Sequence, residues 1–286
     1  MGVKLPGVKL PGWHIPSPVR LWYDEQRIWK FYLKFEDKIG SGVFVRCQGR
    51  NMSRIILKLS GEALAGDKKT GFDEETVRKV AKQVKQLADA GTQIGVVIGG
   101  GNFWRGRTGT EIDRVKSDQI GMLATVMNCI YVSEIFRGEG IGTCILTPFE
   151  IGGITKLFSK DRANKYFAQG MVVFFAGGTG HPYFSTDTGV VLRAIEVDAD
   201  YILLAKNIDG IYNADPAKDP TAKRYDRISI DDVIAQGLQA VDMTASILAK
   251  ENHMPMRCFA LKGDNSIVKA AESDEEHFDG TIITAD

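Results

Sequence analysis

Ile55-Ile56-Leu57-Lys58-Leu59-Ser60-Gly61-Glu62-Ala63-Leu64 is the stretch around which the rest of the chain is organised. It starts as a short apolar run rich in β-branched residues, which suits a buried strand. One lysine interrupts it. An ammonium in such a place is costly unless it meets an anion. Ser60-Gly61 then ends the strand in a turn whose backbone N–H groups can point outward, as in one half of a phosphate site. The alternative is a lysine snorkelling from an edge strand.

Outward from this stretch, strand and helix patterns alternate. Asp73 is placed to cap a helix with Glu74 and Glu75 in its first turn, Val77, Val80, Ala81, Val84 and Leu87 along one face, and Gly91 at its end. A strand over 94–98 runs into Gly99-Gly100-Gly101-Asn102. Ser117 is placed to cap a long helix to about 136. A strand over 143–147, a helix over 159–169 and a strand over 171–176 lead to Gly177-Gly178-Thr179-Gly180. A helix over 187–197 and a strand over 201–205 follow. Turn signals at Asp209-Gly210, Asp215-Pro216 and Asp219-Pro220 come next. Helices from 231, over 244–251 and over 266–271, with strands over 256–261 and 281–284, complete the chain. The strands read as continuous apolar runs, which argues for a mostly parallel sheet covered on both faces, a three-layer α/β/α sandwich.

Composition narrows the function. With 44% hydrophobic and 25% charged residues among 286, the chain has an ordinary globular balance and can bury a sizeable core. Its zero net charge gives no bulk basic field for nucleic acid. Cys47, Cys129, Cys144 and Cys258 form no C-x-x-C pair, the four histidines have no metal spacing, and three of the cysteines sit in apolar runs, as expected in a reducing cytoplasm. No uninterrupted apolar run reaches the roughly 18 residues of a membrane helix.

Residues 1–51 stand apart. Val3-Lys4-Leu5-Pro6-Gly7 repeats at once as Val8-Lys9-Leu10-Pro11-Gly12, three of the four tryptophans lie here, and 9 Lys/Arg face 4 Asp/Glu. The segment has no apolar h-region with a cleavage site. It is expected to be an extension, disordered or outside the mature domain, ahead of a domain over 52–286.

Three glycine loops, Ser60-Gly61, Gly99-Gly100-Gly101 and Gly177-Gly178-Thr179-Gly180, each follow a strand, so in a doubly wound sheet all would face one crevice. That suits a large polyanionic ligand. Trp104 stands where a G-x-G-x-x-G fingerprint needs its third glycine, which disfavours a dinucleotide fold, and no Gly-Lys dipeptide exists to form a Walker A loop. Arg105 is either a phosphate fork or a solvated surface arginine. Asp118 is a ligand group or a first-turn carboxylate favoured by the helix dipole. Asp187 positions magnesium or a lysine, or merely caps a helix. Asp215 before Pro216 is by default a turn residue.

Longer motifs carry a resemblance that bears on these choices. Leu57-Lys58-Leu59-Ser60-Gly61-Glu62-Ala63-Leu64, Gly99-Gly100-Gly101-Asn102-Phe103-Trp104-Arg105-Gly106, Asp118-Gln119-Ile120-Gly121-Met122-Leu123-Ala124-Thr125-Val126-Met127-Asn128, Gly178-Thr179-Gly180-His181-Pro182-Tyr183-Phe184-Ser185-Thr186-Asp187 and Asp209-Gly210-Ile211-Tyr212-Asn213-Ala214-Asp215-Pro216 resemble the bacterial uridylate (UMP) kinases of the amino acid kinase family. The resemblance covers about 53–286. It implies the amino acid kinase fold and transfer of the ATP γ-phosphoryl group to UMP in pyrimidine nucleotide biosynthesis, with Mg2+ accompanying ATP. It implies that Lys58, Leu59, Ser60, Gly61 and Gly101 hold ATP phosphates, that Arg105 spans the phosphates of both nucleotides, and that Tyr212 and Asp215 border adenosine. A further ATP contact falls at Lys206 or Asn207. UMP would lie against Gly100, Asp118, Thr179, Gly180, His181, Pro182, Tyr183, Phe184, Ser185 and Thr186. Asp187 and Asp242 would hold Lys58 or the metal. Gly66, Asp67, Lys68, Lys69, Thr70 and Gly71 match a region where many relatives bind GTP as an allosteric activator. UTP inhibition, a homohexamer and a cytoplasmic location are implied too. Two rivals stay open: a kinase of the same fold acting on a carboxylate or carbamate, and a non-catalytic anion-binding protein.

Overall fold

The computed structural model describes residues 53–68, 70–104, 112–238, 240–262 and 264–285. Before them it describes the backbone of five short strands. The chain divides into two compact units, Met1–Met52 and Ser53–Asp286. In the first, β1 (Val3–Leu5), β4 (Val19–Tyr23) and β5 (Trp29–Tyr32) pair antiparallel in the order β1-β4-β5, and β2 (Lys9–Leu10) pairs antiparallel with β3 (Trp13–His14).

The second unit is built on a nine-stranded sheet in the order β14-β16-β15-β11-β6-β7-β10-β8-β9. Its strands are β6 (Arg54–Leu59), β7 (Gln93–Ile98), β8 (Thr143–Thr147), β9 (Lys156–Leu157), β10 (Val172–Phe175), β11 (Tyr201–Lys206), β14 (Arg227–Ser229), β15 (Met256–Ala260) and β16 (Thr281–Thr284). Every pairing is parallel except β15 with β16. The opening stretch is therefore a central strand, β6, flanked by β11 and β7, and the edge-strand alternative for Lys58 falls away.

Helices cover both faces, giving the expected α/β sandwich. α1 (Gly61–Ala65), α2 (Glu74–Asp89), α3 (Arg114–Gly138) and α8 (Ser266–Glu272) lie on one side, α4 (Lys160–Ala168), α5 (Thr186–Glu196), α6 (Ile230–Ala235) and α7 (Met243–Glu251) on the other. The period-two alternation of a strand sorts the residues of β6. Ile55, Leu57 and Leu59 enter the core under α2 and α3, and Ile56 enters the core under α5. Lys58 shares the parity of Ile56, so its side chain is sent toward α5.

The expected cap Asp73 accepts from the backbone N–H of Thr76, and the structure adds Ser159 and Ser229, which accept from those of Arg162 and Asp232. Two helix starts differ. α3 begins four residues earlier than expected because Asp113 caps it, accepting from the N–H of Lys116 at 3.1 Å, while Ser117 lies buried inside the helix. α5 is capped by Ser185, whose hydroxyl accepts from the N–H groups of Asp187 and Thr188, so Asp187 is not spent on capping. α3 is 25 residues long and apolar enough by composition to cross a bilayer, although no uninterrupted apolar run is that long. Its buried face carries hydrogen-bonded Asn128 and Ser133 as well as Val132 and Phe136, which marks it as a core helix.

Candidate active site

Parallel strands β6, β7, β10 and β11 all end on the same edge of the sheet, so the three glycine loops and the 206–210 turn meet there. Close approach explains the glycines. A Cβ on Gly61 would stand 2.4 Å from Asn102 Oδ1 and 2.5 Å from the Gly99 carbonyl oxygen. One on Gly100 would stand 2.9 Å from the Gly121 carbonyl oxygen of α3.

α3 fastens these loops from below. Asn128, fully buried, donates to the Gly99 carbonyl at 2.6 Å and exchanges amide hydrogen bonds with Asn102 at 2.7 and 3.0 Å. Asn102 also donates to the carbonyl of Gly71 at 2.8 Å. Thr125 accepts from the N–H of Gly177 at 2.8 Å, and the Trp104 indole donates to the Ser117 hydroxyl at 3.0 Å. Asn102, Thr125 and Asn128 lay within the quoted motifs without an assigned task. Asparagine inside an otherwise apolar helix was their signal, because a buried amide must find partners.

At the centre Lys58 Nζ lies 2.9 Å from Asp187 Oδ1, both side chains mostly buried. Asp242 is brought to the same corner on other partners. It caps α7 through the N–H of Ala245 at 2.9 Å, accepts from the Ser185 hydroxyl and lies 3.2 Å from the Thr188 hydroxyl. Among the described residues the ion pair of Lys58 is with Asp187, so Asp242 fastens the start of α5 and thereby Asp187.

On the α3 side lies a cleft of about 200 Å³, lined by Gly100, Gly101 and Trp104, by Arg114, Asp118 and Thr125 of α3, and by Gly178, Thr179, His181 and Phe184 to Thr186. Asp118 Oδ2 accepts from Arg114 Nε at 2.9 Å and from the N–H of Tyr183 at 2.8 Å. Thr179 Oγ1 accepts from the N–H of His181 at 3.2 Å and so tightens the turn into Pro182. Tyr183 and Phe184 are 64% and 50% exposed; Phe184 lines the cleft, and the Tyr183 ring lies under the Arg114 guanidinium.

On the other side lie Lys206, Asn207, Tyr212 and Asp215. The Lys206 ammonium donates to the Ala240 carbonyl, and Asn207 is exposed. The Tyr212 hydroxyl donates to Asp209 at 2.9 Å in the short hairpin of β12 (Ile211–Tyr212) and β13 (Arg224–Tyr225). Burial pushes the Asp209 carboxyl up, but the Tyr212 hydroxyl, a backbone N–H and Arg224 together hold it below the usual carboxylate range. Asp215 accepts from the N–H of Ala217, its expected turn geometry, and that bond lowers its carboxyl. Leu59, Ser60, Gly61 and Gly101 fall at the turn between the two sides.

Arg105 and Lys69 lie outside the described residues. Gly66 to Lys68 form a short 3-10 turn after α1, where Lys68 donates to the Phe72 carbonyl at 3.1 Å, and Phe72 stacks on Tyr131 of α3 with ring centroids 3.9 Å apart. Among the described residues no three or more His, Cys, Asp or Glu side chains cluster as a metal cage. Magnesium carried on nucleotide phosphates needs only one or two carboxylates, and Asp187 beside Lys58 suits that.

The amino acid kinase family model matches residues 53–260. A uridylate kinase of Parabacteroides distasonis is 44% identical over 232 residues, which cover 80% of this chain and 97% of that protein. The crystal structure of a UMP kinase from Bacillus anthracis superimposes with a TM-score of 0.78 at 31% identity, over 82% of this chain and 96% of its own. That of a UMP kinase from Ureaplasma parvum does so with 0.76 at 30% identity, over 81% and 98%. With its parallel sheet, its three glycine loops on one edge and these likenesses, the chain belongs to the amino acid kinase family.

Proposed function

We propose that this chain is a UMP kinase, moving the γ-phosphoryl group of ATP reversibly to UMP to give ADP and UDP, a step of pyrimidine nucleotide biosynthesis. The observation that carries the reading is Lys58, on a central strand, paired with Asp187 at 2.9 Å where three glycine loops converge beside a cleft lined by Asp118 and the strap over 178–186. The named relatives and solved neighbours support it.

The chemistry needs positioning and charge neutralisation more than covalent steps. A phosphate oxygen of UMP, already ionised near neutral pH, attacks the γ-phosphorus. Its new P–O bond forms as the bond to the β,γ-bridging oxygen breaks, and ADP leaves with that electron pair. No general base is required. Lys58, with the N–H groups of 60–61 and 99–101, supplies positive field where charge migrates. Asp187 keeps the ammonium of Lys58 on that line. Arg105 supplies the second cation, spanning both nucleotides' phosphates. Asp187 would hold magnesium accompanying ATP, which would supply further neutralisation of the transferred group. Asp118, an anion, belongs against ribose hydroxyls and not against phosphate. His181, Pro182, Tyr183 and Phe184 enclose the uracil side, and Lys206 or Asn207, Tyr212 and Asp215 the adenosine side.

Three further proposals travel with this reading. GTP activates through 66–71 and UTP inhibits, supported by the loop's lysines and by the bond from Asn102 to the Gly71 carbonyl, which ties that loop to the phosphate loops. The chain assembles as a homohexamer, supported by the exposed stripe Ile120, Leu123, Met127 and Ile130 along α3, which a second copy would cover. The enzyme works in the cytoplasm, in keeping with its buried free cysteines.

Coupled measurement of ADP release with UMP, CMP, glutamate and aspartate as acceptors tests the core reading. Turnover with UMP alone is expected. Turnover with an amino acid would transfer the chain to a carboxylate-kinase reading, and none with any acceptor would favour the non-catalytic one. Initial rates across GTP and UTP series at subsaturating ATP test regulation, which flat rates would remove. Light scattering of the purified protein tests the hexamer, which a monomer mass would remove.

A further inference from the structure

We propose that Arg114 is a positioning residue for UMP: it fixes the Asp118 carboxylate so that one oxygen is presented to the ribose hydroxyls, and so sets the preference for ribo- over deoxyribonucleotide. The inference rests on the assignment of Asp118 to the UMP ribose. Nothing in the sequence motifs gave Arg114 a task.

Four observations converge. Arg114 is the first residue of α3 and Asp118 lies one turn on, an i,i+4 pair on the face that lines the cleft. Arg114 Nε and the Tyr183 N–H both donate to the same oxygen, Oδ2, at 2.9 and 2.8 Å. Among the described residues no donor reaches Oδ1, and Asp118 lines the cleft. Tyr183 holds a positive φ of 72°, a backbone region that side-chain-bearing residues seldom adopt, and its ring lies 5.4 Å from the Arg114 guanidinium. The strap over the cleft is thus tied to α3 through Arg114 and Asp118 together.

A carboxylate 13% exposed and deprived of its cation would rotate and recruit water. It would then meet the ribose with no preferred oxygen. The 2′-hydroxyl contact would weaken most, because a hydrogen bond to a charged group depends on a fixed acceptor.

Steady-state kinetics with UMP and 2′-deoxy-UMP on the full chain decide the matter, using Arg114→Ala, Asp118→Asn and their double variant. Both single variants are expected to raise KM for UMP about tenfold or more, to lower kcat far less, and to bring the UMP to deoxy-UMP ratio of kcat/KM toward one. KM for ATP should stay within about twofold, and the double variant should be no worse than the poorer single one. Arg114→Lys, which keeps charge but not the planar fork, should recover part of the ratio. Should Arg114→Ala fail to fold, Arg114→Gln carries the same expectation. If Asp118→Asn leaves the ratio unchanged, the ribose placement falls and this inference with it. If Asp118→Asn flattens the ratio while Arg114→Ala lowers both substrates alike, or adds fully to Asp118→Asn, Arg114 is only structural and the inference alone is overturned.

Discussion

On the α3 side of the crevice, side chains of one core helix reach the loops: Asn128 to Gly99 and Thr125 to Gly177 through half-buried and buried hydrogen bonds, and Asp118 to the exposed N–H of Tyr183. On the side of the 207–225 ribbon, a buried bond from the Ile211 N–H to the Thr281 hydroxyl at 2.8 Å holds the base, and the fastening beyond it is Arg224. It donates to Asp209 at 3.0 Å and to Asp279 at 2.9 Å, and those partners are 46% and 90% exposed. A bond inside a core cannot be traded for water without loss, whereas an exposed ion pair is screened and contributes about 0–1 kcal/mol. On the proposed reading, the UMP side is thus built before ligand arrives, and the outer part of the ATP side is held loosely enough to adjust.

The largest effect should come where the two sides meet. On the proposed reading Lys58→Ala removes a preorganised charge at the transferred phosphoryl, and such losses cost about 10²–10³ in rate. Steady-state kinetics should show kcat down by that factor with UMP still bound. Turnover within a few-fold of the parent would detach Lys58 from the chemistry.

Breaking the core-held side comes next. Asn128→Ala strips the Gly99 carbonyl and the Asn102 amide of buried partners, at about 1–3 kcal/mol for each group left unsatisfied. Thermal unfolding should drop by roughly 5–10 °C, and both nucleotides should weaken because the Gly99 loop serves both. An unchanged melting midpoint would mean that water replaces the amide and that the side is less rigid than drawn.

Arg224→Ala tests the loosely held side. KM for ATP should rise only a few-fold, KM for UMP should not move, and the melting midpoint should shift by about 2 °C or less. A loss as large as that of Asn128→Ala would erase the contrast. Smallest of all, removal of residues 1–51 should leave the midpoint and UMP phosphorylation unchanged, since the family match begins at residue 53 and β6 at Arg54. A fall of about 4 °C or more would mean that the extension packs on the domain.

The elements that were legible beforehand share one property: their signal is local. Apolar runs gave β6, β7, β10 and β11, the cap Asp73 gave the start of α2, and helical patterning those of α4 and α6, to within a residue or two. What escaped depended on partners distant in sequence. Lys58 could not be told from a snorkelling lysine until β11 and β7 flanked its strand, and Asp187 not from a cap until Ser185 took that task. Ser117 looked like a cap because Asp113 lay outside the apolar period of α3. β9, β12 and β13, two residues each, carry too little pattern to stand out. Asn102, Asn128, Thr125 and Arg114 act across 26, 29, 52 and 65 residues or through a neighbour that does, and no periodicity reports that.

The division of the crevice into a UMP side and an ATP side is tested most directly by calorimetric titration of Asp118→Asn with each nucleotide separately. The variant should bind UMP about tenfold or more weakly, as expected for losing a charged acceptor of ribose hydroxyls, and should bind ATP as the parent does. A larger loss for ATP than for UMP would reverse the placement of the two substrates.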